Sequence, residues 1–229
     1  MRLRAIKVLG LALRLFIGFL LAFSIIVAVL IGIYRIVPPI STLMAGRWLL
    51  QRGVERDWTP LNNISPNLVT ATLMSEDARF CRHNGVDWSA LGTVLDESGE
   101  RGPSRGASTI AMQTAKNLFL WPSRSFIRKG LEIPIALALD LAWPKRRIIE
   151  TYLNIAEWGE GLFGAEAAAQ HYFGKSAASL VPREAALLAA ALPNPARRDP
   201  RHPSPRQRAL ASIILERSRD AETWLDCLK

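Results

Sequence analysis

The sequence predicts a mainly α-helical domain behind a single N-terminal transmembrane helix. A stretch of 20 residues without a charge runs from Leu15 to Tyr34, and about 20 helical residues span the hydrocarbon core of a bilayer. After this stretch, helix start signals recur along the chain while strand-like alternation is scarce. The 229 residues are 49% hydrophobic and include two cysteines, which excludes disordered, collagen-like and disulfide-rich classes.

The charge distribution predicts the orientation of that helix. The formal net charge is +9, and residues 1–36 contain five of the cations and no acid. Because cytoplasmic flanks retain an excess of cations, we expect a short basic cytoplasmic segment at 1–14, the transmembrane helix at 15–36 and a periplasmic domain at 37–229. A cleaved signal peptide is the alternative, but the apolar region is too long and no clear cleavage site follows it. The remaining charge excess is too modest to indicate nucleic-acid binding.

Start signals predict a series of helices within residues 37–229. Ser65-Pro66 is typical of a helix N-terminus, and the apolar residues after it carry this helix towards Glu76. Seven further helices are expected to start at or near Asp87, Ser108, Ser125, Pro144, Phe163, Pro182 and Pro205. A cluster of glycines between positions 159 and 164 predicts a tight loop in which the backbone approaches another group closely.

The cysteines and histidines give no metal-binding pattern. Cys81 and Cys227 are the only two cysteines, and an exported domain can form disulfides, but the sequence leaves open whether they pair. The histidines are scattered and no Cys/His zinc spacing is present, so we expect no structural zinc.

A basic segment lies between Arg101 and Leu131, with six cations and no acid. The cations are Arg101, Arg105, Lys116, Arg124, Arg128 and Lys129. A solvated face is the ordinary explanation of such a run. This one surrounds Gly106-Ala107-Ser108-Thr109, a turn that opens a helix, where free N–H groups and the helix dipole favour an anion. The segment therefore predicts a phosphate or pyrophosphate site.

Two adjacent carboxylates, Glu76 and Asp77, end the helix before this segment. Consecutive helical residues point about 100° apart, so one can face a cleft while the other caps or pairs locally. Apolar neighbours such as Met74 and Phe80 can raise the pKa of a carboxyl group towards the range of a general base. Two solvated acids at a helix end are the alternative interpretation.

A third acid, Glu132, ends the basic segment. It can form a salt bridge with Arg128, four residues earlier on a helix, or help to hold a divalent cation such as Mg²⁺ against a phosphate. Sugar transfer from a pyrophosphate needs one base and neutralised charge on the leaving group, whereas hydrolysis of a glycosidic bond also needs an acid for the leaving oxygen. The excess of cations favours sugar-phosphate chemistry.

Five motifs follow one another within residues 58–200. The first two are Glu76-Asp77-x-x-Phe80-x-x-His83-x-Gly85 and Gly106-x-Ser108-Thr109-Ile110-x-x-Gln113-x-x-Lys116-Asn117. The third is Arg128-Lys129-x-x-Glu132, and the fourth runs from Lys145 to Ile148-Ile149-Glu150-x-Tyr152-Leu153-Asn154. The fifth is Gly161-x-x-Gly164-x-x-x-Ala168-Ala169 with Tyr172-Phe173-Gly174-Lys175. Together they resemble the peptidoglycan glycosyltransferases of glycosyltransferase family 51, and the chain looks like the monofunctional members because transpeptidase motifs are not found.

The resemblance implies a lysozyme-like glycosyltransferase domain at the bacterial inner membrane that polymerises lipid II. Glu76 would be the base that deprotonates the acceptor 4-hydroxyl, which attacks the donor's anomeric carbon, expels undecaprenyl pyrophosphate and forms a β-1,4 linkage with inversion. Glu132 would assist at the pyrophosphate, through a divalent metal such as Mg²⁺. The cations that would neutralise the pyrophosphate are Lys116, Arg124, Arg128 and Lys129. The residues that would shape the substrate cleft are Asp77, Phe80, His83, Ser108, Thr109, Gln113 and Asn117.

One departure from the family pattern is visible, because the second motif usually has two glutamines and the first is Met112 here. If the glutamine of other members only packs beside the site, its replacement leaves activity intact. If it binds sugar directly, its replacement lowers the affinity for the donor or the acceptor. Two other functions stay open: a lytic or hydrolytic lysozyme-like enzyme, and a non-catalytic scaffold that binds lipid II.

The expected partners are lipid II, the growing glycan chain and the membrane, together with other cell-wall synthases or division proteins. Exposed apolar residues near the bilayer would admit the lipid tails of a polyprenyl-linked substrate. The candidates are the runs Trp48-Leu49-Leu50 and Leu118-Phe119-Leu120-Trp121. Core positions are the alternative, and we expect Trp48 in the core.

Overall fold

The structure is a computed structural model that describes residues 2–101, 108–123 and 125–228. The chain divides into two compact units, Met1–Val37 and Pro38–Lys229. In the first unit, helix α1 (Arg2–Tyr34) contains an apolar stretch of 26 residues, Leu9–Tyr34, that is long and apolar enough to cross a membrane. At 1.5 Å per residue such a stretch measures about 39 Å, compared with about 30 Å for a bilayer core.

The second unit is mainly helical, as predicted. In the described residues its α-helices are α2 (Thr42–Leu49), α3 (Pro66–Glu76), α4 (Trp88–Arg101), α5 (Ile110–Phe119), α6 (Phe126–Ala142), α7 (Lys145–Ile155), α8 (Ala165–Phe173), α9 (Pro182–Ala191) and α10 (Pro205–Arg219). Each start predicted from the sequence lies within two residues of an observed helix start. The sequence signals did not predict α2.

Side-chain caps explain why the helices that carry the site begin where they do. Ser65, Thr109 and Ser125 each accept a hydrogen bond from a backbone N–H in the first turn of α3, α5 and α6. A cap of this kind satisfies an N–H group that has no partner within the helix and stabilises the helix by about 1 kcal/mol. The caps therefore determine which residues stand at the ends of these three helices.

A small sheet accompanies the helices. Strand β1 (Glu55–Arg56) pairs in parallel with β3 (Leu162–Phe163), which pairs antiparallel with β2 (Glu157–Gly159). Strands of two or three residues are too short to show alternation, so the sequence did not predict them. The predicted tight loop connects β2 and β3: Gly161 has φ +74°, and a Cβ there would lie 2.8 Å from the carbonyl oxygen of Gly53.

Helix packing brings the candidate site residues together. α9, which is buried along Ala185–Ala191, packs against α3 and α10, while α5 packs against α6 and α7. Alanine side chains allow close approach of helix axes. Gly85, in the loop after α3, has φ +75°, and a Cβ there would lie 2.6 Å from the carbonyl oxygen of Ala136 on α6. The loop can therefore pack against α6 only with glycine at this position.

Cys81 and Cys227 form a disulfide, with Cα atoms 5.5 Å apart. The bond joins the turn after Glu76 to the C-terminal segment. Arg82 supports the same junction, since Nη1 lies 3.5 Å from Oδ2 of Asp226 and Nη2 donates to the carbonyl oxygen of Thr223. The question that the sequence left open is thereby answered, and the bond is of the kind that persists in oxidising compartments.

Removal of the disulfide is expected to destabilise the second unit. Replacement of both Cys81 and Cys227 by Ser should lower the free energy of unfolding by about 2–4 kcal/mol, because the open chain gains loop entropy. Thermal unfolding of the detergent-solubilised full chain, with and without dithiothreitol, measures this. The double variant is the control, since it should not respond to the reductant. Equal midpoints for reduced and oxidised wild-type protein would contradict the prediction.

Candidate active site

Glu76 is the last residue of α3, and its carboxylate contacts α5. Nε2 of Gln113 donates a hydrogen bond of 2.9 Å to Oε2, and Oγ of Ser75 lies 3.4 Å from Oε1. Desolvation by burial raises the pKa of Glu76, although the hydrogen bonds from Gln113 and Ser75 and the charge of Lys116 act in the opposite direction. This is the direction that the sequence predicted. A carboxylate whose pKa lies above its ordinary value is a better proton acceptor near neutral pH.

Asp77 caps the C-terminus of α3 and faces the protein interior. Its Oδ2 accepts a hydrogen bond of 2.9 Å from the backbone N–H of Ile110, the first residue of α5, and its Oδ1 lies 2.9 Å from Nε2 of His83. The two adjacent carboxylates therefore divide as predicted, because Glu76 contacts the polar face of α5 while Asp77 pairs locally. A carboxylate at a helix N-terminus also interacts favourably with the helix dipole.

Phe80 is buried in the turn that follows Asp77, and the side chain of His83 in the same turn is 6% exposed. Lys145, at the start of α7, donates a hydrogen bond of 2.7 Å to the carbonyl oxygen of His83, and its Nζ lies 4.8 Å from the centroid of the Phe80 ring. Asp77, Phe80 and His83 thus have their contacts inside the protein. They shape the site by holding the turn in place.

The polar face of α5 forms one wall of the site. Gln113 and Lys116 are three residues apart and lie on the same face of the helix. Burial and the charge of Arg128 lower the pKa of Lys116. The hydroxyl of Thr109, at the start of α5, donates a hydrogen bond of 2.6 Å to the carbonyl oxygen of Gly85. Thr109 therefore joins the second motif to the loop of the first.

Met112 is fully buried. Because it precedes Gln113, its side chain points about 100° away from that residue around the helix. The departure from the family pattern therefore places an apolar side chain in the core, and the face that carries Gln113 and Lys116 keeps its polar groups. Position 112 thus faces the core in this chain, and the effect of the departure on activity stays a prediction.

Glu132, on α6, is 2% exposed and lies between two cations. Nη1 of Arg128 forms an ion pair with its Oε1, as the spacing predicted, and Nζ of Lys129 lies 2.8 Å from its Oε2. Nζ of Lys129 also donates a hydrogen bond of 2.6 Å to Oγ of Ser108. Although Glu132 contacts its ammonium group, burial and the charges of Arg128 and Lys116 lower the pKa of Lys129 to about 8.

The predicted basic segment thus forms a cluster of three mutually interacting cations, Lys116, Arg128 and Lys129, of which Arg128 and Lys129 contact the carboxylate of Glu132. A cavity of about 340 Å³ lies beside it, lined by Lys116, Asn117, Trp121, Ser123 and Arg128 among others. An excess of cations next to an open cavity suits a multiply charged anion. Four predicted residues, Arg105, Gly106, Ala107 and Arg124, lie outside the described residues, as does the side chain of Arg101.

Glu132 was also predicted to hold a divalent cation. Mg²⁺ takes oxygen ligands in octahedral geometry, but both carboxylate oxygens of Glu132 already contact cations. The described part of the chain contains no group of three His, Cys, Asp or Glu side chains that could hold a metal. These residues do not fit a divalent cation, so Glu132 is the counter-ion of Arg128 and Lys129.

The structure adds features that the sequence did not predict. The hydroxyl of Tyr152, on α7, lies 3.2 Å from Oε1 of Gln113; the fourth motif contained this residue but suggested no role for it. Trp48 is half exposed, so the expected core position is wrong, because α2 ends at the surface. In the second apolar run Leu118, on α5, and Leu120, just after its end, are buried while Trp121 is half exposed. Tertiary packing, which composition alone does not reveal, separates these neighbours.

Comparisons with known proteins show the family of this chain. A family model described as Transglycosylase matches residues 44–219. Three relatives, each described as a biosynthetic peptidoglycan transglycosylase, come from Brucella suis biovar 1, Rhizobium meliloti and Rhodospirillum centenum. The first is 51% identical over 92% of this chain and 95% of its own length. The second is 50% identical over 87% of this chain and 85% of its own length. The third is 52% identical over 84% of this chain and 84% of its own length. The chain therefore belongs to the transglycosylase family of peptidoglycan glycosyltransferases.

Proposed function

We propose that the chain polymerises lipid II into β-1,4-linked glycan strands, with Glu76 as the general base. The observation that carries the proposal is the arrangement of Glu76 itself. It is a carboxylate with a raised pKa at the end of α3, on the same side of α5 as Lys116. A base of this kind next to a cation cluster meets the two needs of sugar transfer from a pyrophosphate.

In the proposed reaction Glu76 accepts the proton of the acceptor's 4-hydroxyl as its oxygen attacks the anomeric carbon of the growing chain. A new C–O bond forms on one face of the sugar, and the bond to the pyrophosphate oxygen breaks on the other, which inverts α to β. The bonding electrons leave with undecaprenyl pyrophosphate. The leaving group is already an anion and needs no proton, so Lys116, Arg128 and Lys129 would stabilise the charge that develops on it.

The arrangement of acids supports transfer over hydrolysis. A lytic enzyme needs an acid for the leaving oxygen, usually with a second free carboxylate as base or nucleophile. Asp77, which follows Glu76 in the chain, is bound to His83 and to the N-terminus of α5, and Glu132 is paired with two cations. Neither carboxylate is available as the partner that hydrolysis requires.

The location that we propose is the bacterial inner membrane, with a cytoplasmic N-terminus and a periplasmic catalytic domain. The apolar stretch of α1 is compatible with a membrane anchor, and the excess of cations before it favours a cytoplasmic N-terminus. The disulfide between Cys81 and Cys227 supports export to an oxidising compartment. Association with other cell-wall synthases or division proteins stays a prediction.

An apolar rim would admit the polyprenyl tail of the substrate. We give this name to Trp121, Phe126 and Ile127, which lie along the chain between Lys116 and Arg128 of the cation cluster. The side chains of Phe126 and Ile127 are 99% and 76% exposed, and Trp121 lines the cavity beside Lys116 and Arg128. Large exposed apolar side chains next to a charged site suit a ligand with an anionic head and an apolar tail.

Replacement of Glu76 by Gln is expected to reduce polymerisation by at least about 100-fold, because the variant retains the shape of the side chain and loses the base. Incubation of the full chain in detergent with labelled lipid II, followed by gel separation and lysozyme digestion, measures polymer. Glu216→Gln, an exposed change on α10, is the matched control and should leave the rate unchanged. Lipid II binding should survive in Glu76→Gln, and undiminished polymer from that variant would sink the assignment. The same assay with EDTA in place of Mg²⁺ tests whether the reaction requires a divalent cation.

The charge of Lys129 predicts a decline of activity at alkaline pH. As the pH rises through about 8, its pKa, Lys129 loses its proton and the cluster loses one positive charge. The rate should therefore fall on the alkaline side. An arginine stays protonated throughout this range, so in Lys129→Arg the decline should begin at least about one pH unit higher. The control is Lys175→Arg, which changes a lysine paired with Glu184. Identical alkaline limbs for wild type and Lys129→Arg would contradict this assignment.

Changes in the apolar rim should affect substrates according to their tails. The double variant Phe126→Ser/Ile127→Ser is expected to raise KM about tenfold for lipid II with its full polyprenyl tail, because buried apolar contact is lost. With a shortened tail the KM should change little. Ile213→Ser, an exposed change on α10, is the control. An equal rise in KM for both tail lengths would exclude a role in tail binding.

A further inference from the structure

A chain of two hydrogen bonds connects Tyr152 to Glu76. The hydroxyl of Tyr152 donates to Oε1 of Gln113 over 3.2 Å, and Nε2 of the same amide donates to Oε2 of Glu76 over 2.9 Å. The three residues come from α7, α5 and α3. Tyr152 is 2% exposed, so bulk water does not compete for its hydroxyl. A tyrosine on α7 is thereby joined to the carboxylate on α3 through one amide.

The Gln113 amide can take two orientations that differ by a rotation of 180°. In one the NH₂ group faces Glu76 and donates to it; in the other the carbonyl oxygen faces the carboxylate and is repelled by it. A hydroxyl that donates to Oε1 favours the first orientation. The hydroxyl of Tyr152 keeps its proton for this purpose, because burial and the charges of Glu76 and Asp77 raise its pKa well above the ordinary value.

We propose that Tyr152 is a positioning residue for the general base: by donating to Oε1 of Gln113 it holds the amide with its NH₂ group towards Glu76. The inference rests on the proposed role of Glu76 as the base. In this arrangement the carboxylate has a short, defined donor on Oε2, and Oε1, which has only the longer contact of 3.4 Å with Ser75, receives the proton of the sugar hydroxyl. Tyr152 itself touches neither the substrate nor the reacting atoms.

The positioning has a measurable electrostatic consequence. A hydrogen bond to the ionised carboxylate lowers its pKa, so loss of an ordered Gln113 donor raises the pKa of Glu76. The acid limb of the pH–rate profile, which reports ionisation of the base, then moves to higher pH. The other polar and charged groups that face Glu76 are Ser75, Asp77 and Lys116, and none of them bonds to the hydroxyl of Tyr152 in the described contacts.

The test is Tyr152→Phe in the full chain, which removes one oxygen atom and keeps the ring. The acid limb of kcat/KM for lipid II polymerisation should move up by about 0.5 to 1 pH unit, since one hydrogen bond contributes about that much. The alkaline limb should stay where it is in wild type. The matched control is Tyr172→Phe, because the Tyr172 hydroxyl donates to the backbone carbonyl of Trp158 over 3.0 Å, away from Glu76. Its acid limb should equal that of wild type.

A double-mutant cycle separates positioning from loss of stability. Gln113→Ala should shift the acid limb in the same direction, and Tyr152→Phe should add no further shift in the Gln113→Ala background, because the hydroxyl acts only through the amide. Additive shifts, or a wild-type acid limb in Tyr152→Phe, would overturn the proposal. Failure of the proposed function is distinct: it would show as retained polymerisation in Glu76→Gln, whatever Tyr152→Phe does.

Discussion

The site depends on the carboxylate of Asp77, which joins the end of α3 to the start of α5. One side-chain oxygen accepts the first N–H of α5, and the same carboxylate pairs with His83 from the following turn. The charge is buried but compensated by two donors and a helix dipole, which is the condition under which a buried carboxylate is stable. Because Asp77 is fixed in this way, the preceding residue Glu76 must project towards Gln113 and Lys116. The proposed base is therefore positioned by its neighbour.

A second constraint is the balance of charge around Glu132. A buried carboxylate without partners would cost several kcal/mol, and three neighbouring cations without a carboxylate would repel one another. With Glu132 between Arg128 and Lys129, the cluster keeps a net positive charge, which an anionic leaving group can neutralise. The lowered pKa values of Lys116 and Lys129 reflect burial first and then the remaining repulsion between the cations. Binding of pyrophosphate would relieve this repulsion, so electrostatics favours the occupied site.

The elements around the site are held from several directions. Lys145 holds the turn that follows Asp77 through the carbonyl oxygen of His83, Gly85 allows the loop to pack against α6, and the disulfide joins Cys81 to the C-terminal segment. Met112 fills the core behind the polar face of α5. The residues that make these contacts take no part in the proposed reaction, yet the contacts limit how far Glu76 can move relative to the cation cluster. Preorganisation of this kind is what electrostatic catalysis requires.

The sequence by itself determined the local features of the molecule. Caps such as Ser65 and Ser125, helix periodicity and the uncharged stretch from Leu15 to Tyr34 depend on neighbouring residues, so helix starts, the apolar helix and the candidate base could be predicted. The order of the five motifs also sufficed to indicate the family, which the comparisons confirmed.

Only the tertiary structure decided which distant residues meet. Residues far apart in sequence gain contact from helix packing, and no local signal encodes that contact. The pairing of Cys81 with Cys227, the link from Tyr152 through Gln113 to Glu76, the contact of Ser108 with Lys129 and the exposure of Trp48 are of this kind. The very short strands were missed for the same reason, because their pairing rather than their composition defines them.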